Sequence, residues 1–438
     1  MTKQLRAIRG TKLILIVSAL WVGVLSAGQA VAGGLLLYEV GTADVGLASA
    51  GWGARAQDAS AILTNPAGMT RLEGSQALLG VQALYGDYGF SVGPGTSSGL
   101  GTGDGGNPIG WFPGGSAFFS YSASPDLRFG FGMAGNFGLS QKYDDNWVGR
   151  YYVQEATLIG MSLLPSIAYK VNDKFSVGGG LNAMYGILKN QVAVNNVAPG
   201  AGDGRLELED TTWGLGFNIG LLYQLSANTR FSLTYNSQVD LDFSAPAEFS
   251  NLAPGLEALL RARGLLDANV DLGVKVPQQV MASFFHQVNP RWAVLGSVGW
   301  QQWSKFGMVE VGVDSSNPTS NTTNLEYDDT WHAALGAQYH VTDAWMLNFG
   351  VAYDSEFQGA TVSPMLPAND AWRFGAGVQN QVSKTFSWGI AAEYAYAGTL
   401  DVDKQSASPV PTGGRGDLVG SYPDAGIFFL AVNFTWTF

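Results

Sequence analysis

The last twelve residues constrain this chain most. Between residues 427 and 438, Phe428, Leu430, Val432, Phe434, Trp436 and Phe438 occupy alternate positions, with Phe429, Ala431, Asn433, Thr435 and Thr437 between them. Period two is the repeat of a β-strand, so one face of the segment is aromatic and aliphatic and the other mostly small or polar. A soluble strand with such a face needs a covering layer and a following turn. This one stops on an aromatic carboxyl terminus, as the closing strand of an outer-membrane barrel does. The terminal aromatic is therefore expected to serve as the signal to the barrel assembly machinery.

The other end of the chain agrees. Lys3, Arg6, Arg9 and Lys12 precede an uncharged run from Leu13 that ends in Ala30, Val31 and Ala32. Basic start, apolar run and small residues before a cut make residues 1–32 a secretory signal peptide, with a mature start at Gly33. Past Ala32 no stretch reaches the roughly 20 apolar residues of a spanning helix, so passage through a membrane falls to strands. The leader takes four basic residues and no acids, which leaves 19 basic and 35 acidic side chains. That balance repels a polyanion, and no basic stripe is present, so nucleic acid is excluded as a partner. The absence of cysteine removes disulfides, thiolate metal sites and thiol catalysis together.

After residue 72 the period-two pattern recurs in fourteen segments, near 76–90, 116–124, 127–139, 157–171, 174–189, 211–225, 229–243, 276–288, 291–306, 326–341, 344–357, 371–382, 385–399 and 425–438. Tight turns such as Asn172-Asp173 and Asn289-Pro290 alternate with long Gly/Pro/Asp-rich stretches such as 190–210 and 244–274. Short turns on one rim and long loops on the other predict an all-β fold, a transmembrane antiparallel β-barrel of 14 strands over residues 72–438. The two faces are legible within single strands. Trp213, Leu215, Phe217, Ile219, Leu221 and Tyr223 alternate with Gly214, Gly216, Asn218 and Gly220, and Trp372 and Phe374 flank Arg373. The bulky set is expected to meet lipid and the small or polar set the lumen. About eight strands already make a barrel that side chains fill, so a wider one needs something else inside it. Residues 33–71, rich in Ala and Gly and without the barrel pattern, are the expected internal plug, a periplasmic tail being the alternative.

Within that segment Asp58 opens a short helix through Ala59, Ser60, Ala61, Ile62 and Leu63 that Pro66 stops, and the proline pushes Asn65 to an extended conformation. Together with Gly46, Leu47, Ala48, Ser49, Ala50 and Gly51 upstream, the stretch Asn65, Pro66, Ala67, Gly68, Met69 resembles the N-terminal hatch of the FadL/TodX family of outer-membrane transporters for hydrophobic compounds. Further echoes are Asn136, Phe137, Gly138, Leu139 in the third strand, Val276, Pro277, Gln278 at the eighth, Trp303, Ser304, Lys305, Phe306 at the ninth and Trp372, Arg373 in the twelfth. The resemblance covers nearly all of the mature chain. It implies a monomeric hatch-plugged barrel, set among outer-membrane lipid and lipopolysaccharide. It also implies capture of a hydrophobic small molecule in a groove on the outer loops, an internal site near the mature N-terminus, and release sideways where the third strand kinks. Asn65, Pro66 and Ala67 match the hatch motif, and Gly135, Asn136, Phe137 and Gly138 match the kinked strand. Glycine weakens strand pairing and permits a bulge, which gives Gly135 and Gly138 a reason of their own, although glycine is common throughout the chain.

Two further features bear on the ligand. In the loop 244–274, Pro254 opens a helix that places Leu256, Leu259 and Leu260 on one face before Gly264; Leu252, Leu265 and Leu266 enlarge the apolar surface. These leucines form a capture groove or pack against a neighbouring loop. A fatty acid carboxylate needs a cationic partner when buried, whereas an aromatic hydrocarbon needs only an apolar pocket. Strand parity points Arg373 into the lumen and makes it the first candidate, with Arg150 after the third strand the second; a structural role beside plug or loop acids is the alternative for Arg373. The family resemblance makes long-chain fatty acids the expected cargo, against aromatic hydrocarbons by the same route or a general aqueous porin.

No enzyme, cofactor or metal site is expected. The histidines, His286, His332 and His340, stand in no metal-ligand or serine constellation, so a membrane phospholipase lacks a placed nucleophile and base. Asp144, Asp145, Asp328 and Asp329 read as solvated loop charge, divalent-cation binding near lipopolysaccharide being the alternative. Gly101 to Gly106 match a dinucleotide fingerprint by letter alone, without the strand and helix that motif needs.

Overall fold

The computed structural model describes residues 36–197, 202–266, 268–314, 319–406 and 408–438. The expected leader and its cleavage site lie outside the described residues. Fourteen strands form the wall: β1 Gln76–Asp87, β2 Gly110–Ser122, β3 Leu127–Lys142, β4 Glu155–Lys170, β5 Phe175–Val194, β6 Gly204–Ser226 and β7 Thr229–Asn236, then β8 Gln279–Gln287, β9 Trp292–Gln301, β10 Thr330–His340, β11 Trp345–Asp354, β12 Ala371–Ser383, β13 Phe386–Lys404 and β14 Leu418–Thr437. Among the described residues four α-helical segments accompany them, α1 Thr42–Gly46, α2 Ala61–Thr64, α3 Pro254–Ala262 and α4 Trp303–Phe306.

Each strand runs antiparallel to the next, and β1 pairs with β14 from Gln76↔Thr437 to Asp87↔Gly426, closing the cylinder. At the seam the Phe438 N–H donates to the Ser75 carbonyl at 2.8 Å. Alternation sorts the side chains as the sequence pattern requires. In β6, Trp213, Leu215, Phe217, Ile219 and Tyr223 are exposed on the outer face, and in β14 Phe428, Leu430 and Trp436 are exposed while Phe429 and Ala431 are buried. Trp372 and Phe374 point outward and Arg373 inward.

Three departures from the sequence pattern have physical causes. β2 starts six residues before the expected 116, because Gly110 to Gly115 pair with β1 despite their lack of bulky alternation. The seventh strand, expected over 229–243, ends at Asn236; the chain turns at Ser237 and Gln238, and Val239–Pro246 forms a separate strand. That strand pairs with Asn269–Val276, which pairs with Met308–Asp314, which in turn pairs with Thr319–Asn324, giving a four-stranded sheet built from the long loops. Apolar residues keep alternating across the turn, so period alone cannot reveal the change of sheet. Finally, residues 303–306 form α4 instead of extending β9.

Residues 38–72 are almost entirely buried inside the wall. α1 lies against β12, β13 and β14, and a 3-10 turn, Pro66–Arg71, lies against β4, β5 and β6. Tyr38, Val40, Trp52, Ala59, Ile62 and Met69 share one apolar core with Leu78, Phe118, Ala134, Leu164 and Met281 of the strands. Polar contacts complete the fit. Ser297 and Ser283 accept from the Trp52 and Gly53 N–H groups at 3.1 and 3.3 Å, and Arg230 donates to the Ala54 and Arg55 carbonyls. Arg55 also pairs with Asp44 at 2.7 Å, both side chains being buried. Burial nevertheless pushes the Asp44 carboxyl up to about 6 against the pull of Arg55.

Candidate functional site

Asn65 adopts the extended conformation that the following proline imposes, with φ −169° and ψ 102°. Pro66 ends α2 and also begins the 3-10 turn, where its missing N–H is not needed. The Asn65 amide donates to the Gly53 carbonyl at 2.9 Å and to the Leu221 carbonyl of β6 at 3.2 Å, while its oxygen accepts from Ala67 N at 3.0 Å. The wall opposite must be glycine. A Cβ on Gly220 would stand 1.9 Å from Asn65 Oδ1, and one on Gly178 would stand 2.4 Å from Ala67 N. Asn65, Pro66 and Ala67 are thus fitted to β5 and β6 as one rigid turn.

The wall is incomplete at β3. Its ladder with β2 ends at Ser116↔Ala134, although β2 continues with β1 to Gly110 and β3 continues with β4 to Lys142. Between Gly135 and Phe137 the β3–β4 register slips, leaving Asn136 as an extra residue. One extra residue inverts the parity of everything beyond it, so Ala134 and Phe137 both face inward. The N-terminal segment uses the free edge. Leu36 bridges Phe137, and the Leu37 N–H donates to the Asn136 carbonyl at 3.1 Å. Gly135, Asn136, Phe137 and Gly138 therefore sit together where β3 lacks a ladder partner in β2, with Leu36 and Leu37 laid over them.

From this break one apolar cluster reaches the loop-built sheet. It joins Phe137 with Met184 and Leu188 of β5, Trp303 and Phe306 of α4, Tyr327 and Phe357, and Leu241, Phe243, Val274 and Val276 of the sheet. Ring contacts run along it: Phe137 to Phe306 at 6.2 Å, Trp303 to Phe357 at 5.2 Å. Beside the cluster lies a cavity of about 90 Å³, lined by Leu36, Tyr38, Trp303, Phe357, Asp354 and Arg373 among others. Pockets for drug-sized ligands run to roughly 300–1,000 Å³, so a long chain enters only if Leu36 or its neighbours yield.

Arg373 faces this cavity and is surrounded by acids. It donates to Glu39, to Asp354 at 2.5 Å and to Glu393 at 3.1 Å. Glu39, Asp354 and Glu393 were not singled out in the sequence. Glu393 carried a signal, an acid at an inward position of a strand otherwise lined by small residues; Glu39 carried none. Arg150 belongs elsewhere, paired with Asp203 at 2.7 Å and bonded to the Leu100 and Trp147 carbonyls, and it does not line the cavity. Among the leucines of the 244–274 loop, α3 buries no residue, Leu259 is 47% exposed, and Leu252, Leu256, Leu260, Leu265 and Leu266 are half-buried.

One expectation needs correction. His332 does join a serine and a carboxylate: Ser49 Oγ lies 2.9 Å from its Nε2 and Asp354 Oδ1 lies 2.6 Å from its Nδ1. These residues are 283 and 22 positions apart, so no spacing could announce them. The order is that of a hydrolytic triad, but Ser49 and His332 are each 1% exposed, the Tyr38 ring lies tilted against the imidazole at 4.5 Å, and Asp354 shares its charge with Arg373. A carbonyl substrate has no room at Ser49, and the three groups tie the plug to the wall.

The family described as Outer membrane protein transport protein (OMPP1/FadL/TodX) matches residues 23–438. A long-chain fatty acid transport protein of Escherichia coli is 27% identical over 96% of this chain and 98% of its own. The crystal structure of a Pseudomonas aeruginosa FadL homologue superposes with a TM-score of 0.81 at 21% identity, over 92% of this chain and all of that one. The Pseudomonas putida toluene transporter TodX superposes with a TM-score of 0.67 at 17% identity, over 93% and 100% of the two chains. The chain belongs to the OMPP1/FadL/TodX family of transporters for hydrophobic compounds, and is an outer-membrane channel rather than an enzyme.

Proposed function

We propose that this protein carries long-chain fatty acids through the outer membrane by capture on the external loops, passage through an internal site beside the plug, and lateral release through the wall at β3. The observation that carries the reading is the apolar cluster that runs unbroken from the loop-built sheet to Phe137, where the β2–β3 ladder has stopped. An apolar solute moving along such a path never needs to re-enter water, and release into the bilayer completes its transfer to an apolar medium. The half-buried leucines of α3 and its flanks suit the capture step. A single chain supplies wall, plug and path, so a monomer suffices; lipopolysaccharide surrounds its outer rim and the barrel assembly machinery inserts it. The filled lumen argues against a general aqueous porin.

The carboxylate of the cargo favours Arg373 over Arg150, because Arg373 alone of the two lines the cavity. Direct binding of oleate and toluene to purified protein tests the choice. Arg373→Ala is expected to weaken oleate binding at least tenfold while changing toluene binding little. Arg373→Lys, which keeps the charge and loses the planar fork, should fall between. An equal loss for both ligands would remove the carboxylate role and leave aromatic hydrocarbon transport as the better reading.

A further inference from the structure

Resting on the assignment of Arg373 to the ligand's carboxylate, we propose that His332 is the positioning residue of that site. It confines Asp354 to one nitrogen of Arg373 and so keeps a second nitrogen free for the cargo.

The donors of Arg373 are nearly all taken. A guanidinium offers Nε, Nη1 and Nη2. Asp354 accepts from Nε at 2.5 Å, and Glu39 and Glu393 both accept from Nη1. Among the described residues nothing accepts from Nη2, and Arg373 lines the cavity. Nη2 is therefore the donor left for a ligand.

An isolated pair would not leave it so. A carboxylate beside arginine favours setting both oxygens on two nitrogens at once, and Nε with Nη2 form one such edge. Asp354 keeps to Nε because its other oxygen is engaged: Oδ1 lies 2.6 Å from His332 Nδ1. A carboxylate only accepts, so Nδ1 carries the proton that joins them.

The wall fixes this triangle. His332 and Asp354 are direct partners across the β10–β11 ladder, and Arg373 pairs with Ala352, which makes Asp354 its diagonal neighbour. The plug fixes the ring: Ser49 Oγ lies 2.9 Å from Nε2, and Tyr38 covers one side. Without the Nδ1 donor, Asp354 turns onto Nε and Nη2 together. The ligand's carboxylate then loses its donor, while the apolar lining of the cavity is unchanged.

The test uses the mature protein with oleate and oleyl alcohol, which share a chain and differ in charge. An asparagine amide nitrogen falls where Nδ1 does and a glutamine amide where Nε2 does, so His332→Asn keeps the donor to Asp354 and His332→Gln loses it. His332→Gln is expected to weaken oleate binding about tenfold, a change of ~1.4 kcal/mol, and to leave oleyl alcohol as it was. His332→Asn should stay within about twofold of the parent for both ligands. In an Arg373→Ala background His332→Gln should cost oleate nothing further, because its effect runs through Arg373. A ring that only ties plug to wall would make both substitutions, and Ser49→Ala, change the two ligands together; that result overturns the proposal, as does an oleate loss that persists in full without Arg373. The unaltered chain supplies a second measurement should a variant assemble poorly. With arginine labelled by heavy nitrogen, and the Arg373 signals assigned by their loss in Arg373→Lys, oleate should shift the Nη resonances and leave Nε, which stays with Asp354. An Nε shift as large as that of the Nη pair overturns the proposal. Equal effects of Arg373→Ala on oleate and toluene sink both this inference and the reading it rests on; a selective Arg373→Ala with an unselective His332→Gln sinks this inference alone.

Discussion

Gly220→Ala concentrates its effect on the plug. The new methyl would fall 1.9 Å from Asn65 Oδ1, a distance no pair of atoms tolerates, and Asn65 cannot retreat because its side chain makes three hydrogen bonds. Losing those bonds costs about 1 kcal/mol each, and forcing a methyl into a packed interior adds about 1–3 kcal/mol. The turn at residues 65–67 is thus destabilised by about 4–6 kcal/mol, or roughly a thousandfold or more in its equilibrium. Gly220 keeps its ladders to Gly178 and Thr234, so the wall itself is not the target. The expected phenotype is a correctly inserted, heat-modifiable barrel that conducts ions in planar bilayers and admits bulky antibiotics in cells. Gly89→Ala, whose methyl meets nothing within 4 Å, supplies the matched control. If Gly220→Ala folds and stays as tight as the parent, Asn65 does not fix the plug in the way argued above.

Three other outcomes are expected. Trp at Gly135, where the built Cβ meets nothing within 4 Å, should reduce fatty acid uptake while the barrel folds and oleate still binds; unchanged uptake would favour axial passage. Deleting Phe438 removes two backbone bonds with Ser75, worth about 1 kcal/mol each, so a loss of assembled barrel by gel mobility well beyond that would mark the residue as a recognition signal, and normal yield would dismiss it. Asp44, raised to about 6, binds its proton more tightly in the folded than in the unfolded chain. Its stabilising contribution is therefore complete below about pH 4 and is lost as pH rises through about 6. A carboxyl infrared band that titrates near pH 6 and vanishes in Asp44→Asn checks this, and an Asp44 already ionised at pH 4.5 contradicts it.

The sequence alone determined the barrel, its strand number and, within regular strands, the side of the wall on which a residue lies; the bulge at Asn136 inverts that reading for the rest of β3. Lipid imposes a period-two code on every strand, and that code is local; Trp372, Arg373 and Phe374 declare inside and outside without reference to any other segment. Turn chemistry is local too, which is why Asn65 before Pro66 could be read as extended. Tertiary structure decided where strands end and which inward residues meet. The turn at Ser237 and Gln238 diverts an unbroken alternation into a second sheet, because pairing partners, not periodicity, choose the sheet. The acids around Arg373 come from a plug segment and two strands, and Ser49 meets His332 across 283 positions. A cylinder that closes on itself and encloses residues 38–72 creates such neighbours by geometry, and no spacing in the chain encodes them.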